Sequence, residues 1–186
     1  MLGYLLYQYV NGGPGNLVSL KAEKDGQRYL VQDLPNKQGA CEMLADIKGR
    51  MDKVAAFYGQ EEFVSDPPAK HLVERYNPQH LMENSMTSHD TSYSENKGEK
   101  IVLCLRDKTN PPGYPLVDIN TVMFVVLHEM AHLMTPALST GKHTPEFWAN
   151  FRRLLQDANQ IGIYQPVNYA HTPVPYCGME ITDSPL

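Results

Sequence analysis

His128-Glu129-Met130-Ala131-His132 closes an apolar run, Thr121-Val-Met-Phe-Val-Val-Leu127, whose composition suits a helix buried on most sides. Positions four apart on an α-helix lie about 40° apart around the axis and one turn along it, so His128 and His132 point the same way. Two imidazoles on one face can share a single Zn²⁺, and Glu129 lies beside them where it can act on a water at the metal. Burying two histidines and a glutamate in an apolar helix is costly unless something pairs them. A metal ion is the pairing that fits this spacing.

A catalytic zinc usually takes three protein ligands and leaves a fourth position open. The metzincin extension of the motif needs Gly at 135 and His at 138; Thr135 and Leu138 stand there, so that class is excluded. The next histidine is His143, reached after Pro136, Ser139 and Gly141, which end the helix and form a loop. Thr144-Pro145-Glu146 follows at once, a good N-cap, a favoured first helical residue and an acid suited to the helix dipole. His143 therefore sits at the mouth of a new helix and is the candidate third ligand. Glu146 and Asp157 are the carboxylates that could replace it.

HEMAH, a short loop and HTPEFW opening a second helix resemble the WLM/SprT-like branch of the zincin metallopeptidases, with the nearest likeness to members found in large DNA viruses. In that branch a third histidine after the motif helix is followed by an aromatic residue, matched here by His143 and Phe147. YLVQDLPNKQGACEMLADI (29–47), TSYSENKGEKIVLCLRDK (91–108) and YCGMEITDSPL (176–186) also look like the viral-type group, so the likeness spans roughly residues 25–186. The gap from His132 to His143 is longer than in many members. The resemblance implies an α+β, zincin-like fold, with a small mixed sheet packed on the HExxH helix and two or three further helices. It implies one Zn²⁺ per chain on His128, His132 and His143, with Glu129 as general base. It also implies protein or peptide substrates, proteins crosslinked to DNA among them.

A chain of 186 residues with 42% apolar and 20% charged residues fits one domain with a sizeable core. The net charge of −5 offers no basic field, so direct nucleic-acid binding is not expected. Cys41, Cys104 and Cys177 are odd in number and form no CxxC pair, which rules out a zinc ribbon. All three are expected to be reduced and structural, which favours a reducing compartment such as the cytoplasm, a virus factory or a virion. A thiolate from Cys177 reaching the metal is the minor alternative. The N-terminal MLGYLLYQYV is too short to span a bilayer and lacks a basic start. It reads either as the end of a membrane anchor, which viral-type members often carry, or as an element packed on the core. Asn11-Gly-Gly-Pro-Gly15 separates it from the rest, so residues 1–15 form one segment and 16–186 a single zincin-like domain.

Asp25-Gly26 reads as a hairpin turn between strands around Val18–Lys21 and Arg28–Gln32. From Lys37 to Tyr58 the apolar positions Ala40, Met43, Leu44, Ile47, Met51, Val54 and Phe57 predict a long amphipathic helix. A shorter helix is expected from Ala69 to Asn84, broken at Asn77-Pro78. His71, His80 and His89 are spaced for neither a helix face nor a metal loop and read as surface or packing residues. Residues 84–98 read as loop, and Glu99–Arg106 as a strand, either edging the substrate cleft or lying in the core. Asn110-Pro-Pro-Gly113 turns the chain, and Asp118 or Asn120 caps the motif helix. Phe147, Phe151, Leu154, Leu155, Ala158 and Ile161 predict a second amphipathic helix ended by Gly162. Beyond Tyr164 an extended tail wraps the surface and carries Tyr164, Tyr169, His171 and Tyr176, any of which could stabilise an oxyanion.

Zinc-dependent endopeptidase chemistry is the leading expectation. A zinc-stabilised scaffold without turnover is one alternative, and an amidase acting on a small molecule or cell-wall peptide is another. Glu129 discriminates against the scaffold, because a purely structural site needs no base between its ligands.

Overall fold

The computed structural model describes residues 16–77, 80–88, 92–95, 100–136 and 143–186. The N-terminal segment 1–15, Pro78 and His89 lie outside the described residues. Strands β1 (Leu17–Lys21) and β2 (Arg28–Gln32) form the expected antiparallel hairpin, closed by Gly26 at φ 72°, a backbone geometry that glycine adopts without penalty. Helix α1 covers Lys37–Tyr58 and buries Ala40, Leu44, Ile47, Met51 and Val54 at zero to two per cent exposure, the stripe that the apolar period predicts.

Helix α2 runs from Pro67 to Arg75, started by the Asp66 side chain and two prolines. It does not continue to Asn84. Leu81–Glu83 instead forms strand β3, parallel to both β2 and β5 (Lys100–Leu103), and a short strand β4 (Tyr93–Glu95) lies within the expected loop. The mixed sheet has the order β1-β2-β3-β5-β4, so β5 is an inner strand and β4 the edge. Ile101, Val102 and Leu103 are buried accordingly. β5 is therefore a core strand rather than the edge of a cleft.

The motif helix α3 (Ile119–Met134) packs against α2 on one side and α4 (Pro145–Gln160) on the other. Val122, Met123, Val126, Leu127, Met130 and Ala131 are fully buried, and each large side chain among them contributes about 1.5–3 kcal/mol. No helix among the described residues is long and apolar enough to cross a membrane.

Two tertiary ties join distant segments. Arg106 and Glu83, each one per cent exposed, form a buried ion pair at 2.7 Å. Glu83 also accepts the Gln32 backbone N–H at 2.7 Å, and Arg106 donates to the carbonyls of Pro35 and Tyr114. This network binds β2, β3 and the chain after β5 together; removing one partner would leave the other charge buried, at a cost of about 3–5 kcal/mol. The second tie corrects the expectation of three reduced cysteines, because Cys104 and Cys177 form a disulfide across 73 residues. Only Cys41 remains a free thiol, and it is buried. The pairing removes the ground on which a reducing compartment was expected.

Cys177 and Gly178 both take positive φ (54° and 87°), making a two-residue turn between β6 (Val174–Tyr176) and β7 (Met179–Ile181). The tail is thus a hairpin pinned at its turn to the end of β5. Cross-linking a loop of this length contributes about 4 kcal/mol through the unfolded chain. Reduction should therefore lower the thermal midpoint by about 10 °C, and denatured oxidised protein should titrate one thiol. An unchanged midpoint, or three thiols without reductant, would contradict the pairing.

Candidate metal centre

Asp118 starts α3, its carboxylate accepting the N–H groups of Asn120 (2.9 Å) and Thr121 (3.2 Å), so the cap is Asp118 rather than Asn120. Asn120 serves elsewhere. Its amide exchanges two hydrogen bonds with the backbone of Gln165, at 2.9 and 2.8 Å, holding the chain after α4 against the motif helix. At the far end Arg75 Nη1 donates to the carbonyls of Leu133 and Thr135, both at 2.8 Å. A cation placed there satisfies the helix's orphan carbonyls and suits its dipole. Asn150 of α4 donates to Thr135 Oγ1 at 3.3 Å, itself bonded to the Ala131 carbonyl. The motif helix is fixed at both ends.

His128 and His132 stand half-buried on one face of α3, their ring centroids 5.0 Å apart. Thr144 caps α4 by accepting the Phe147 N–H at 3.2 Å, with Pro145 at the first helical position. That cap delivers His143 to the same point. His143 Nε2 lies 3.1 Å from His128 Nε2, and ligand atoms from all three histidines lie within 4.8 Å of one another. Phe147, fully buried, packs against all three rings at 4.4 to 4.9 Å and forms the floor beneath them.

Glu146 is exposed on the first turn of α4. The Asp157 carboxylate accepts the Tyr58 hydroxyl and pairs with Arg153 at 3.6 Å. Neither carboxylate joins the cluster, which among the described residues consists of the three histidines. Cys177 is held in the disulfide and offers no thiolate. His80 is exposed, and His71 is half-buried on α2, its Nδ1 without a hydrogen-bond partner among the described residues.

The donor set suits zinc. Burial, followed by the neighbouring imidazoles, pushes His128 down to about 3 and His132 down to about 4. Both rings are therefore neutral near pH 7, the form that ligates metal. Tetrahedral Zn–N bonds of about 2.0–2.1 Å place donor nitrogens about 3.3 Å apart, close to the His128–His143 separation. In the absence of a cation, one of those two facing nitrogens must carry a proton for the contact to be favourable.

A cleft of about 370 Å³ opens beside the cluster, lined by His128, Glu129 and His143. Its other walls come from α3, α4, Ser92 and the C-terminal hairpin. The segment before β4 thus borders the cleft through Ser92, where β5 was expected. Of the four tail residues considered for an oxyanion, Tyr176 alone lines this space. Its phenol is pushed up by burial, with the Glu129 carboxylate adding in the same direction. Its hydroxyl donates to the Cys104 carbonyl at 2.9 Å and meets Ser92 Oγ at 2.8 Å. Tyr164 and Tyr169 are buried against the core, and His171 is exposed. Arg75, Asn150 and the hairpin wall carry no local sequence signal; only the paired apolar helices hinted that something must lie against α3.

The fold and the clustered histidines define a metallopeptidase-like protein. The model of the WLM domain matches residues 74–172, and the chain belongs to that family. Protein R325 of Acanthamoeba polyphaga mimivirus is 33% identical over 171 residues, spanning 90% of this chain and 83% of that protein. Protein 136R of Invertebrate iridescent virus 6 is 37% identical over 73 residues, or 39% of this chain and 38% of that one. In structure the chain is similar to Wss1 from Saccharomyces cerevisiae, with a TM-score of 0.53 at 20% identity, covering 70% of this chain and 86% of that one. That likeness shows a shared fold.

Purified protein should carry about one Zn²⁺ per chain by elemental analysis. His128→Ala and His132→Ala should each abolish binding, and His143→Ala should weaken it more modestly. Full zinc content in the first two variants would contradict the assignment.

Proposed function

We propose that the protein is a zinc-dependent metalloendopeptidase in which His128, His132 and His143 hold Zn²⁺ and Glu129 is the general base. One observation carries the reading: three imidazoles converge on one point at the side of a cleft that Glu129 also lines. A structural site has no use for a carboxylate in that position. Bound there, Zn²⁺ supplies Lewis acidity, polarising a carbonyl and lowering the pKa of a water toward 7.

The chain's own groups do the rest. Glu129 follows His128 directly, so its carboxylate is carried on the same rigid turn and borders the same space. It takes a proton from the attacking water and delivers it to the departing amine, which keeps the leaving group neutral. Phe147 and Phe151 meet the His128 ring edge-to-face, with centroids 4.9 and 5.3 Å away, and so restrict its rotamer. Arg75 and Asn150 hold the last turn of α3, on which His132 stands. The cleft is an open groove, which suits an extended polypeptide.

Glu129→Gln keeps the shape and a hydrogen-bonding head but cannot accept a proton near neutral pH. The variant should fold and bind zinc like the parent, yet cleave an unstructured casein-like protein at least about 10²-fold more slowly. Chelation should stop cleavage by the parent, and added Zn²⁺ should restore it. Equal cleavage by parent and Glu129→Gln would overturn the peptidase reading. Stoichiometric zinc without cleavage by the parent would favour the scaffold alternative.

A further inference from the structure

The cleft beside the histidines has walls drawn from four separate stretches of chain, Ser92 being the smallest contributor. Phe124 and Val125 on α3 and Trp148 and Phe151 on α4 make one wall. Met179 and Ile181 of the hairpin add apolar surface to the cleft. Met179 is 52% exposed, an apolar side chain left about half open to solvent. The cleft's volume is near the low end of the roughly 300–1,000 Å³ typical of ligand sites, which suits one or two residues of a peptide rather than a whole domain.

The charge in the cleft is one-sided. Glu129, Glu180 and Asp183 line it and no Lys or Arg does among the described residues, so three carboxylates outnumber the two charges of a bound Zn²⁺. Trp148 and Asp183 also line an adjoining groove that Arg152 borders. Glu180 is exposed on β7 and belongs to the cleft's lining together with Met179 and Ile181. A peptide that puts an acidic residue here meets like charge in a partly desolvated groove, whereas a basic residue meets its complement.

We propose that this cleft is the subsite that selects substrate, taking a large apolar or aromatic side chain next to the cleaved bond with a basic residue beside it and rejecting acidic neighbours. The proposal deepens the peptidase reading and rests on it for the words "cleaved bond"; the recognition itself stands on the walls and the charge. The hairpin wall is local to this chain's tail. Its position is set by the Tyr176 hydrogen bonds and the Cys104–Cys177 bridge, which tie it to the end of β5.

Trp148 is the only tryptophan in the sequence, so intrinsic fluorescence reports occupancy of the cleft without turnover. Zinc-loaded parent protein would be titrated with three short peptides, each N-methylated at the central bond to prevent cleavage and identical except at that centre, which reads Phe-Lys, Gly-Lys or Phe-Glu. The Phe-Lys peptide should bind about tenfold tighter than Gly-Lys, the usual discrimination of an apolar pocket. It should also bind several-fold tighter than Phe-Glu at low salt, with that gap shrinking as salt rises. Adding Glu180→Lys, a surface change, should close or reverse the gap between Phe-Lys and Phe-Glu while leaving the Phe over Gly preference intact.

Equal affinity for Phe and Gly peptides, or no fluorescence response to any of them, would overturn the subsite. An unaltered charge preference in the Glu180→Lys variant would overturn the role of Glu180. Parent protein that binds the Phe-Lys peptide with the expected preference but never cleaves its unmethylated form would leave the subsite standing and remove the peptidase reading instead.

Discussion

His143 Nε2 and His128 Nε2 face each other at 3.1 Å, two nitrogens that repel through their lone pairs unless a proton or a cation lies between them. Burial holds the His128 and His132 rings neutral, and neutral rings crowded on one point are good ligands and poor neighbours. The fold therefore has to hold them against that tendency. It does so from beneath with Phe147, whose ring touches all three imidazoles, and from the sides with helices α3 and α4, which share a buried apolar seam. Zn²⁺ at this point would convert a local cost into binding energy, so metal and fold are expected to support each other.

The helix that bears two of the ligands is fixed by residues remote in sequence. Asp118 and the Asn120–Gln165 amide pair hold its start, while Arg75 and Asn150 hold its end. The sheet contributes through the Arg106–Glu83 network, which sets the chain leading from β5 toward α3, and through the disulfide that carries the hairpin to the cleft. The site is a junction of three separate stretches: the motif helix, the cap of the next helix and the C-terminal hairpin. A rigid frame of this kind keeps the three imidazoles at constant separations.

Features that rest on local chemistry were readable from the residues. Helix α1 begins and ends at the predicted residues because its apolar period runs unbroken from Lys37 to Tyr58. His143 could be singled out because Thr144 and Pro145 mark a helix start whatever lies around them. Features that rest on distant partners were not readable. β3 is three residues long and is a strand only because β2 and β5 flank it, and no period emerges from Leu81–Glu83 alone. The Cys104–Cys177 bridge spans 73 residues in a chain with an odd number of cysteines, so spacing gave no hint of it. The low net charge likewise gave no sign that Glu180 and Asp183, more than 50 residues from Glu129, line the same cleft as Glu129.

X-ray absorption at the zinc edge of the metal-loaded protein tests the central claim most directly, because it counts ligands without relying on a substrate. Three imidazole nitrogens and one further light atom, all at about 2.0–2.1 Å, are the expected shell. A shell with only two imidazoles, or with sulfur at about 2.3 Å, would contradict the convergence of His128, His132 and His143 on one ion.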